Sequence, residues 1–576
     1  TKSNALFKTM QYIFQEYNKK WCEKNSGEWI LYETNIEPFL RFIHEKDIKP
    51  TGWLSINLRL TEKIICNTDY SFMINYKDIE VINKKKLGPI LIASFDIECT
   101  SSHGDFPMGI KNYKKISQEL CENVEKIINE DLFEIIKQCF DDNVIINDIK
   151  ISILHIKRRP TLIQLEELKK NIPKIKELLS EILNNKGIKV QEIVEIENKI
   201  NKKLSSILPE LYGDPIIQIG TTFHRYGNNE IIYKHLVNLG TCDKIDGVDV
   251  IECKSEDDLL LKWKEMIIKK SPDIITGYNI MGFDFKYIYD RCLELKIYEK
   301  FKINFGKSGN IDCEFESKSL YSAALGEVNT YFFKFEGILL IDLMVYVKAP
   351  TVLTLDNYKL DNVAENVLGE KKVDLKPNEL FKKFLGSSTD RKEIGIYCIQ
   401  DCELVNKIIQ KMKVLENTSG MSNVCLVPIS FIFHRGQGIK IYSLVMYECN
   451  KRNQVIPFKS FVEDTGYEGA IVLDPKTGIY IEDPIVVFDY SSLYPSSMIA
   501  ENLSHDSHIL PNDIDKYVKN GKLINGENKY LNIINIDDVS HYYVKYKDET
   551  KSTIPQILEM LIKQRKLTRA KINYKS

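Results

Sequence analysis

The chain has 576 residues, of which 43% are hydrophobic and 28% are charged, a composition typical of globular proteins with several domains. No run of about 18 uncharged apolar residues occurs and no apolar signal core follows Thr1, so we expect an intracellular protein with no membrane partner. The net charge of −2 argues against a protein that coats nucleic acid through bulk positive charge. The thirteen scattered cysteines favour reduced core thiols over disulfides or a zinc site.

The first part of the chain changes texture twice. Residues 1–88 mix strand-like and helix-like patterns, with helical spacing from Phe39 to Ile43. Ile90 to Phe95 is an apolar run that predicts a buried strand. Residues 105–212 are rich in Lys, Glu, Ile and Asn, with helical periodicity such as that from Leu162 to Leu183, and predict a helical insertion. Because its acids are interleaved with its lysines, a solvated charged face is favoured over a DNA-binding one.

From Pro215 onward the pattern is that of alternating strands and helices. The predicted elements, in chain order, are a helix over Asp257–Lys269, a strand over Asp273–Tyr278, a helix over Phe285–Leu295, a strand entering a helix over Gly337–Val347, a long helix over Arg391–Val414, a domain boundary at Asn417–Ser422, a strand over Ile485–Phe488, a helix from about Pro495, and a basic amphipathic helix over Pro555–Tyr574.

Acidic residues stand at the ends of these elements. Asp96 and Glu98 are two apart at the end of the first buried strand, so both carboxylates point to one face. Two acids there are unfavourable unless cations such as Mg²⁺ or Mn²⁺ neutralise them. Asp284 opens a predicted helix, and Tyr397 and Asp401 share one helix face. Each motif alone favours a cap or a surface pair, but four carboxylates and a phenol together match a two-metal phosphodiesterase site.

These motifs resemble those of family B DNA polymerases. Phe95-Asp96-Ile97-Glu98-Cys99, Tyr278-Asn279 through Phe283-Asp284, and Tyr397-x-x-x-Asp401 are similar to the three exonuclease motifs of that family, in the family's order. The resemblance implies an RNase H-like fold and a 3′→5′ proofreading exonuclease. It further implies that Asp96, Glu98, Asp284 and Asp401 bind two metal ions, that Tyr397 positions water, and that Asn279 and Phe283 lie beside the DNA 3′ end.

A second set of motifs points to a polymerase palm. Phe488-Asp489-Tyr490-Ser491-Ser492-Leu493-Tyr494-Pro495-Ser496 follows a Val-rich run, and the amides of its turn could face a triphosphate. The string resembles motif A of the same family, which implies that Asp489 binds two Mg²⁺ ions, that Ser492 and Leu493 bind the nucleotide, and that Tyr494 blocks a ribose 2′-hydroxyl.

Two further stretches extend the resemblance. Gly466-Tyr467-Glu468-Gly469-Ala470 is similar to the element that links exonuclease and polymerase, which implies template contacts by Tyr467 and Gly469. Arg565 and Arg569 lie one helical turn apart after Pro555-Gln556-Ile557-Leu558, and this segment resembles the start of the fingers helix. The resemblance implies that both arginines grip the triphosphate, whereas the residues alone favour a solvated basic face.

The predicted fold class is therefore α/β multidomain. The predicted domains are an N-terminal mixed domain over 1–88, an exonuclease domain over 89–416 containing the helical insertion 105–212, a partial palm over 417–545 and the start of the fingers over 546–576. Segments around Tyr32-Glu33-Thr34-Asn35 and Asp273-Ile274-Ile275 resemble delta-type replicative polymerases, and the composition suggests a large DNA virus.

The function expected from the resemblance is DNA-directed DNA polymerisation with proofreading in DNA replication. The expected partners are primer–template DNA and deoxynucleoside triphosphates, with a sliding clamp as a further candidate, and the expected location is host cytoplasm or nucleus if the source is viral. No later Tyr-Gly-Asp-Thr-Asp motif or lysine-bearing fingers helix is found, so we expect a fragment of a longer gene product. Two alternatives stay open, a stand-alone metal-dependent exonuclease and an inactive DNA-binding module.

Overall fold

The computed structural model describes most of the chain in separate stretches. The described residues are 9–10, 12–14, 16–17, 19–20, 33, 36–60, 62–63, 68, 70–84, 86, 88–102, 104–185, 187–228, 230–308, 311–322, 326–349, 352–370, 375–456, 472–482, 484–524, 526–536 and 539–570. In these stretches no helix is long and apolar enough to cross a membrane. The chain divides into two compact units, one of residues 56–78 and 85–418 and one of residues 1–55, 79–84 and 419–576.

Nineteen strands are found among the described residues, most of them short. In chain order they are β1 (Trp53–Ile56), β2 (Glu62–Lys63), β3 (Phe72–Met73), β4 (Ile79–Ile82), β5 (Leu91–Cys99), β6 (Val144–Ile146), β7 (Ile149–Ile151), β8 (Ile216–Arg225), β9 (Ile231–Leu239), β10 (Asp249–Cys253), β11 (Ile274–Gly277), β12 (Glu314–Ser322), β13 (Gly326–Lys334), β14 (Leu339–Asp342), β15 (His508–Ile509), β16 (Val518–Lys519), β17 (Lys522–Leu523), β18 (Lys529–Ile536) and β19 (Val539–Tyr546).

The α-helices are numbered here from Pro38 onward. In chain order they are α1 (Pro38–Glu45), α2 (Lys114–Glu122), α3 (Val124–Ile127), α4 (Leu132–Gln138), α5 (Leu162–Asn184), α6 (Val190–Ile207), α7 (Glu256–Lys270), α8 (Asp284–Glu294), α9 (Tyr298–Lys302), α10 (Leu343–Val347), α11 (Leu360–Leu368), α12 (Pro377–Leu385), α13 (Ser388–Lys411), α14 (Val414–Cys425), α15 (Ile429–His434), α16 (Gly438–Lys451), α17 (Leu493–Ala500), α18 (Ile514–Tyr517) and α19 (Thr553–Ala570).

A six-stranded mixed sheet organises the unit that contains residues 85–418. Its strand order is β10-β9-β8-β5-β11-β14, with β8 antiparallel to both its neighbours and β11 parallel to both of its own. Side chains alternate along β5, so Ala93, Phe95 and Ile97 enter the main hydrophobic core. There the ring of Phe95 lies 5.0 Å from Trp263 and 5.4 Å from Phe285. The residues between Ala93, Phe95 and Ile97, including Asp96, point to the opposite face of β5, and helix α13 packs across β5 and β8.

Most predicted elements of this unit are confirmed with small shifts of their ends. The strand expected at Ile90–Phe95 is β5, the helix expected at Asp257–Lys269 is α7, and the long helix expected at Arg391–Val414 is α13. Helix α13 starts three residues earlier than expected because the Ser387 hydroxyl accepts a hydrogen bond from the Asp390 amide, and the Asp390 carboxylate accepts one from the Ser387 amide. This capping box satisfies amides that have no partner inside the helix.

The insertion has a hydrophobic core of its own. Helices α2 to α6 and the β6–β7 hairpin enclose buried side chains that include Leu120, Ile136, Leu168, Ile175 and Ile200. The helix predicted from Leu162 is confirmed as α5, and it begins with a capping box between Thr161 and Gln164. The β6–β7 hairpin was not expected from the helical periodicity.

A short neck, formed by residues 101–113 and 208–214, joins the insertion to the sheet. A Cβ atom at Gly213 would lie 2.0 Å from the Gly109 carbonyl oxygen, so the two arms of the neck touch where glycine leaves room. The Asp214 carboxylate accepts a hydrogen bond from the Met108 amide at 3.1 Å and pairs with the Lys111 ammonium at 2.7 Å. These contacts fix the insertion at the end of β5, the strand that carries Asp96 and Glu98.

One predicted element is not found in the unit that contains residues 419–576. Ile485–Phe488 was predicted as a buried strand, but the structure assigns no strand there, and Val487 and Phe488 are 86% and 92% exposed. The prediction was wrong because a strand needs a neighbour for its amides and carbonyls, and no described segment pairs with this run. The helix expected from about Pro495 is α17, and the one expected from Pro555 is α19.

The expected boundary at Asn417–Ser422 lies inside a helix. Residues 414–425 form α14, and the division between the two units falls between Thr418 and Ser419. Gly420 and the flanking serines therefore do not interrupt this helix, and a composition typical of linkers is here helical.

Candidate active site

Two carboxylates leave strand β5 on the face that α13 covers. Asp96 lies opposite Gly220 of β8, and Glu98 lies opposite Gln218. The strand register is irregular between Glu98 and Cys99. Glu98 is 9% exposed, so it is held among packed atoms and not in open solvent. The structure thus confirms that both acids share one face of a strand end.

A glycine on the neighbouring strand lets α13 approach this face. A Cβ atom at Gly220 would lie 2.7 Å from the Cys398 Sγ atom and 3.4 Å from the Cys398 carbonyl oxygen. Real Cβ atoms do not approach that closely, so any larger residue would push the helix away. Gly395, which lies on α13 one turn before Cys398, is also confined, because a Cβ atom there would lie 2.5 Å from Leu236 Cδ2. No sequence pattern marks either contact, since both depend on a partner distant in the chain.

The close approach of α13 brings its acid to the site. Asp401 is 7% exposed and contributes to the electrostatic field at Asp96. Tyr397, one turn earlier on the same helix, is half-buried. Tyr397 and Asp401 therefore share one helix face, as their spacing predicted.

The fourth acid is placed by a loop after β11. Asp284 begins α8, and its Oδ1 atom accepts a hydrogen bond from the Ile97 amide, between Asp96 and Glu98, at 3.3 Å. The loop itself is held by Asp342, whose carboxylate accepts hydrogen bonds from the amides of Asn279 and Met281, both at 2.9 Å. Asn279 adopts the left-handed backbone region, with φ of 64°.

The sequence motifs did not identify Asp342 as a residue of the site. A signal was nevertheless present, because Asp342 ends β14, which runs parallel to β11 and pairs Asp342 with Gly277. Acids at the carboxyl ends of adjacent parallel strands meet at one sheet edge. Asp342 is 2% exposed and acts on the site through the loop that carries Asn279.

The electrostatics of the site indicate uncompensated negative charge. Burial raises the pKa of Asp96 well above its ordinary value, and the charges of Asp284, Glu98 and Asp401 raise it further. Burial also raises the pKa of Asp284 to about 7, with the charge of Asp342 as the next cause. A buried aspartate whose pKa is raised by three neighbouring acids fits a site for divalent cations bound by oxygen ligands.

A thiol also lies at the carboxylate cluster. One ligand atom each of Asp96, Glu98 and Cys398 lies within 4.8 Å of the other two. Cys398 and Cys402 are fully buried on α13, and the described cysteines are all free and buried, as the scattered spacing predicted. Cys398 was expected to be a core thiol, and its buried sulfur also lies beside the carboxylates of Asp96 and Glu98.

Aromatic side chains line the approach to the carboxylates. Phe283 is half-buried, and its ring lies 5.3 Å from Tyr287 and 5.5 Å from Phe106. Phe106, in the neck, is 73% exposed, so an apolar ring stands in solvent beside Phe283. The sequence motifs selected Phe283 and missed Phe106, which has no periodicity to mark it.

The residues expected to form a polymerase site belong to the other unit, the one that contains residues 419–576. Asp489 is exposed, Ser492 precedes α17 with φ of 56°, and Leu493 and Tyr494 form the first turn of that helix. Among the described residues, Asp489 belongs to no group of three or more side chains that could hold a metal ion. Arg565 and Arg569 are both exposed on α19. Tyr467 and Gly469 lie outside the described residues.

Comparison with known proteins identifies the family of the chain. The sequence model of the DNA polymerase family B exonuclease domain matches residues 30–158 and 194–363, and that of DNA polymerase family B matches residues 427–576. Tyr397 and Asp401 lie between the matched segments, so their placement here rests on geometry. The chain belongs to DNA polymerase family B.

Relatives from viruses and from cells are similar in sequence to this chain. A DNA polymerase of Pyramimonas orientalis virus is 37% identical over 95% of this chain and 53% of its own length. One of Phaeocystis pouchetii virus is 28% identical over 84% of this chain and 61% of its own length. The DNA polymerase delta catalytic subunit of Candida albicans is 31% identical over 63% of this chain and 34% of its own length. The expected resemblance to delta-type and viral family B polymerases is therefore confirmed.

A solved structure shares the fold. The family B DNA polymerase from the archaeon Pyrobaculum calidifontis matches with a TM-score of 0.52 and 16% identity, over 96% of this chain and 52% of its own. The α/β multidomain class is thereby confirmed. The chain spans about half the length of the two viral relatives, 53% and 61%.

Proposed function

We propose that the unit containing residues 85–418 is a metal-dependent 3′→5′ DNA exonuclease that proofreads for a replicative DNA polymerase. The observation that supports this most directly is the convergence of Asp96, Glu98, Asp284 and Asp401 from three separate segments onto one face of β5. Burying four mutually repelling acids together destabilises the fold unless cations neutralise them. This argues against an inactive DNA-binding module.

Each residue has a role that its position supports. Two Mg²⁺ or Mn²⁺ ions held by Asp96, Glu98, Asp284 and Asp401 would supply an activated water and stabilise the leaving oxygen. The Tyr397 phenol, on the same helix face as Asp401, orients the attacking water. Phe283 and Asn279 contact the terminal nucleotide, since both lie on the loop that leads into Asp284.

The test uses this chain and a labelled single-stranded DNA. With Mg²⁺ we expect stepwise loss of nucleotides from the 3′ end, and none in the presence of a chelator. Asp96→Ala combined with Glu98→Ala should lower the rate by orders of magnitude, because the ions act together on one transition state. Glu230→Ala is the matched control, since Glu230 is an exposed acid of the same sheet region. Equal rates for the double variant and the parent would show that the site is elsewhere.

We further propose that the complete gene product polymerises DNA. Asp489 would bind Mg²⁺, the turn at Ser492 and Leu493 would bind the nucleotide, Tyr494 would exclude ribonucleotides, and Arg565 and Arg569 would grip the triphosphate. Tyr467 and Gly469 would contact the template. The support is the motif string around Asp489 within the segment that matches the family. Primer–template DNA and deoxynucleoside triphosphates are the substrates, a sliding clamp is a candidate partner, and replication would take place in host cytoplasm or nucleus if the source is viral.

The matching assay is primer extension by the complete protein, with Asp96 and Glu98 replaced by alanine to prevent degradation. We expect template-directed addition of deoxynucleotides that Asp489→Ala abolishes, and Tyr494→Ala should admit ribonucleotides. A complete protein that binds DNA and never extends a primer would leave the stand-alone exonuclease as the function.

A further inference from the structure

An interhelical groove of the insertion collects lysines. It lies between α5 and α6, has a volume of about 580 Å³, and is lined by seven residues, Lys174, Glu177, Leu178, Lys199, Lys202, Lys203 and Ser206. On α6 the spacing of Lys199, Lys203 and Ser206 places them along one helix face. The adjacent face holds Ile196, Ile200 and Leu204 in the insertion core, so the lysines are fixed on the outside of a packed scaffold.

Lysines outnumber acids in the lining of the groove, and other acids of these helices lie outside it. Glu197 is 7% exposed and lies close enough to Cys121, in the interior, to raise the pKa of that thiol. Glu192 accepts a hydrogen bond from the Lys189 amide at the start of α6. Four of the seven lining residues are lysines, and Glu177 is the one acid among them. Within the stretches described, no carboxylate lies within ion-pair distance of these four lysines.

Two other lysines of α5 contact neighbouring groups of the insertion, unlike the groove lysines. The Lys176 ammonium donates a hydrogen bond to the Glu130 carbonyl at 2.8 Å, and the Lys169 ammonium lies 5.8 Å from the centre of the Phe133 ring. Lys174, Lys199 and Lys202 are exposed. The sequence showed lysines interleaved with acids, whereas the groove is lined by four lysines and one acid.

We propose that this groove binds the phosphodiester backbone of DNA, outside the exonuclease site and without sequence preference. A row of ammonium groups on one face suits a ligand with regularly repeated negative charge. The lining has neither arginine nor an aromatic ring, so it offers point charges and no base readout. The α5 side of the groove lies in residues 159–193, which the exonuclease-domain model leaves unmatched, so the groove is a feature of this insertion.

The inference rests on the proposed function, because that function supplies the DNA. The measurement is fluorescence anisotropy of a labelled single-stranded oligonucleotide with the whole chain carrying Asp96→Ala and Glu98→Ala, across about 50 to 200 mM salt. Lys199→Glu, Lys202→Glu and Lys203→Glu combined should weaken binding at least about tenfold at the lowest salt. They should also flatten the log–log salt dependence by about 2, since each phosphate that is no longer neutralised lowers the slope by about 0.7. The matched control reverses Lys114, Lys126 and Lys150, three exposed lysines of the same insertion, and should leave the slope unchanged.

The binding experiment includes a further variant and a further probe. The combination of Lys199→Ala, Lys202→Ala and Lys203→Ala introduces no repulsion and should flatten the slope by the same amount, which guards against misfolding of the reversed variant. Poly-glutamate serves as an acidic polypeptide probe. A salt slope for DNA equal to that of the parent would overturn the proposal, and loss of poly-glutamate binding with unchanged DNA binding would assign the groove to acidic protein instead. Degradation of DNA by the chain with Asp96 and Glu98 intact tests the exonuclease separately, so either idea can fail alone.

Discussion

The guanidinium of Arg291 donates two hydrogen bonds to the carboxylate of Glu256, from Nε at 2.8 Å and from Nη2 at 2.6 Å. The two residues are 4% and 7% exposed, so the pair is removed from water. The Nη1 atom of Arg291 donates to the Gly109 carbonyl at 2.8 Å, and Glu256 also accepts a hydrogen bond from the Ile216 amide at 2.8 Å. The pair therefore joins α7, α8 and the neck of the insertion at a single point.

Arg291→Met should destabilise the chain strongly. The change leaves the Glu256 charge buried without its partner, a loss of about 3 to 5 kcal/mol in unfolding free energy. The control is Lys262→Met, which breaks an exposed pair with Asp258 and should cost about 0 to 1 kcal/mol. Urea unfolding followed by tryptophan fluorescence, to which the buried Trp263 contributes, measures both. Equal losses for the two variants would contradict the structural role assigned to Arg291.

Gly220→Ala should impair the exonuclease through one contact. The added Cβ atom would lie 2.7 Å from the Cys398 Sγ atom, so α13 must shift and Asp401 with it. We expect a loss of about 1 to 3 kcal/mol in stability and a slower turnover. Adding Cys398→Ala removes the clashing sulfur and should restore much of both. A double variant no better than Gly220→Ala would mean that the backbone contact, and not the sulfur, limits the approach.

Removal of the insertion beyond its neck should leave cleavage measurable. The Tyr113 hydroxyl donates a hydrogen bond to the Pro209 carbonyl at 2.6 Å, so the two arms of the neck are close there. Replacing residues 115–207 with a short Gly/Ser linker keeps Gly109, Lys111 and Asp214 in place. Metal-dependent degradation of a short single strand should persist, while affinity for longer strands should fall if the lysine groove binds DNA. A folded deletion protein without nuclease activity would place an essential element in the insertion.

Burial of His44 should make stability depend on pH. Its Nε2 atom lies 2.9 Å from the Ser443 hydroxyl, and burial, followed by the charge of Arg41, lowers the pKa of His44 from 6.5 to about 4. Below about pH 6.5 the unfolded chain takes up a proton that the folded chain refuses until about pH 4, so stability is lost as pH falls through this window. The loss from this group between about pH 6.5 and 5 is about 2 kcal/mol.

His44→Gln isolates that contribution. Glutamine does not titrate, so the variant should lose less stability than the parent on acidification, with the difference confined to the window below about pH 6.5. Amide hydrogen exchange in peptides from α1 and α16, the helices that carry His44 and Ser443, gives a local measure. Identical acid sensitivity in the two proteins would show that His44 stays protonated or exposed in the folded state.

The sequence was informative wherever a pattern is local. The apolar run Ile90–Phe95 predicted β5, and the two-residue spacing of Asp96 and Glu98 predicted their shared face. Spacing of four likewise placed Tyr397 and Asp401 together on α13. These features depend only on the repeat of a strand or a helix, so one segment is enough to show them.

The features that the sequence analysis missed or predicted wrongly depend on residues distant in the chain. Gly220 is decisive because Cys398 lies against it, and Asp342 because the loop at Asn279 bonds to it. Ile485–Phe488 has the composition of a strand, yet no described neighbour pairs with it, and composition cannot supply a neighbour. The lysines of α6 looked evenly mixed with acids in the sequence, and only the folded structure shows that three of them line one groove with Lys174 of α5.

The separate core of the insertion has a consequence for how the unit opens. Leu120, Ile175 and Ile200 pack among themselves, while Phe95, Trp263 and Phe285 pack in the sheet, and polar contacts at the neck join the two groups. We therefore expect the insertion and the sheet to open as distinct cooperative regions, with slow amide protons in α5 and in β5 reporting two opening free energies rather than one.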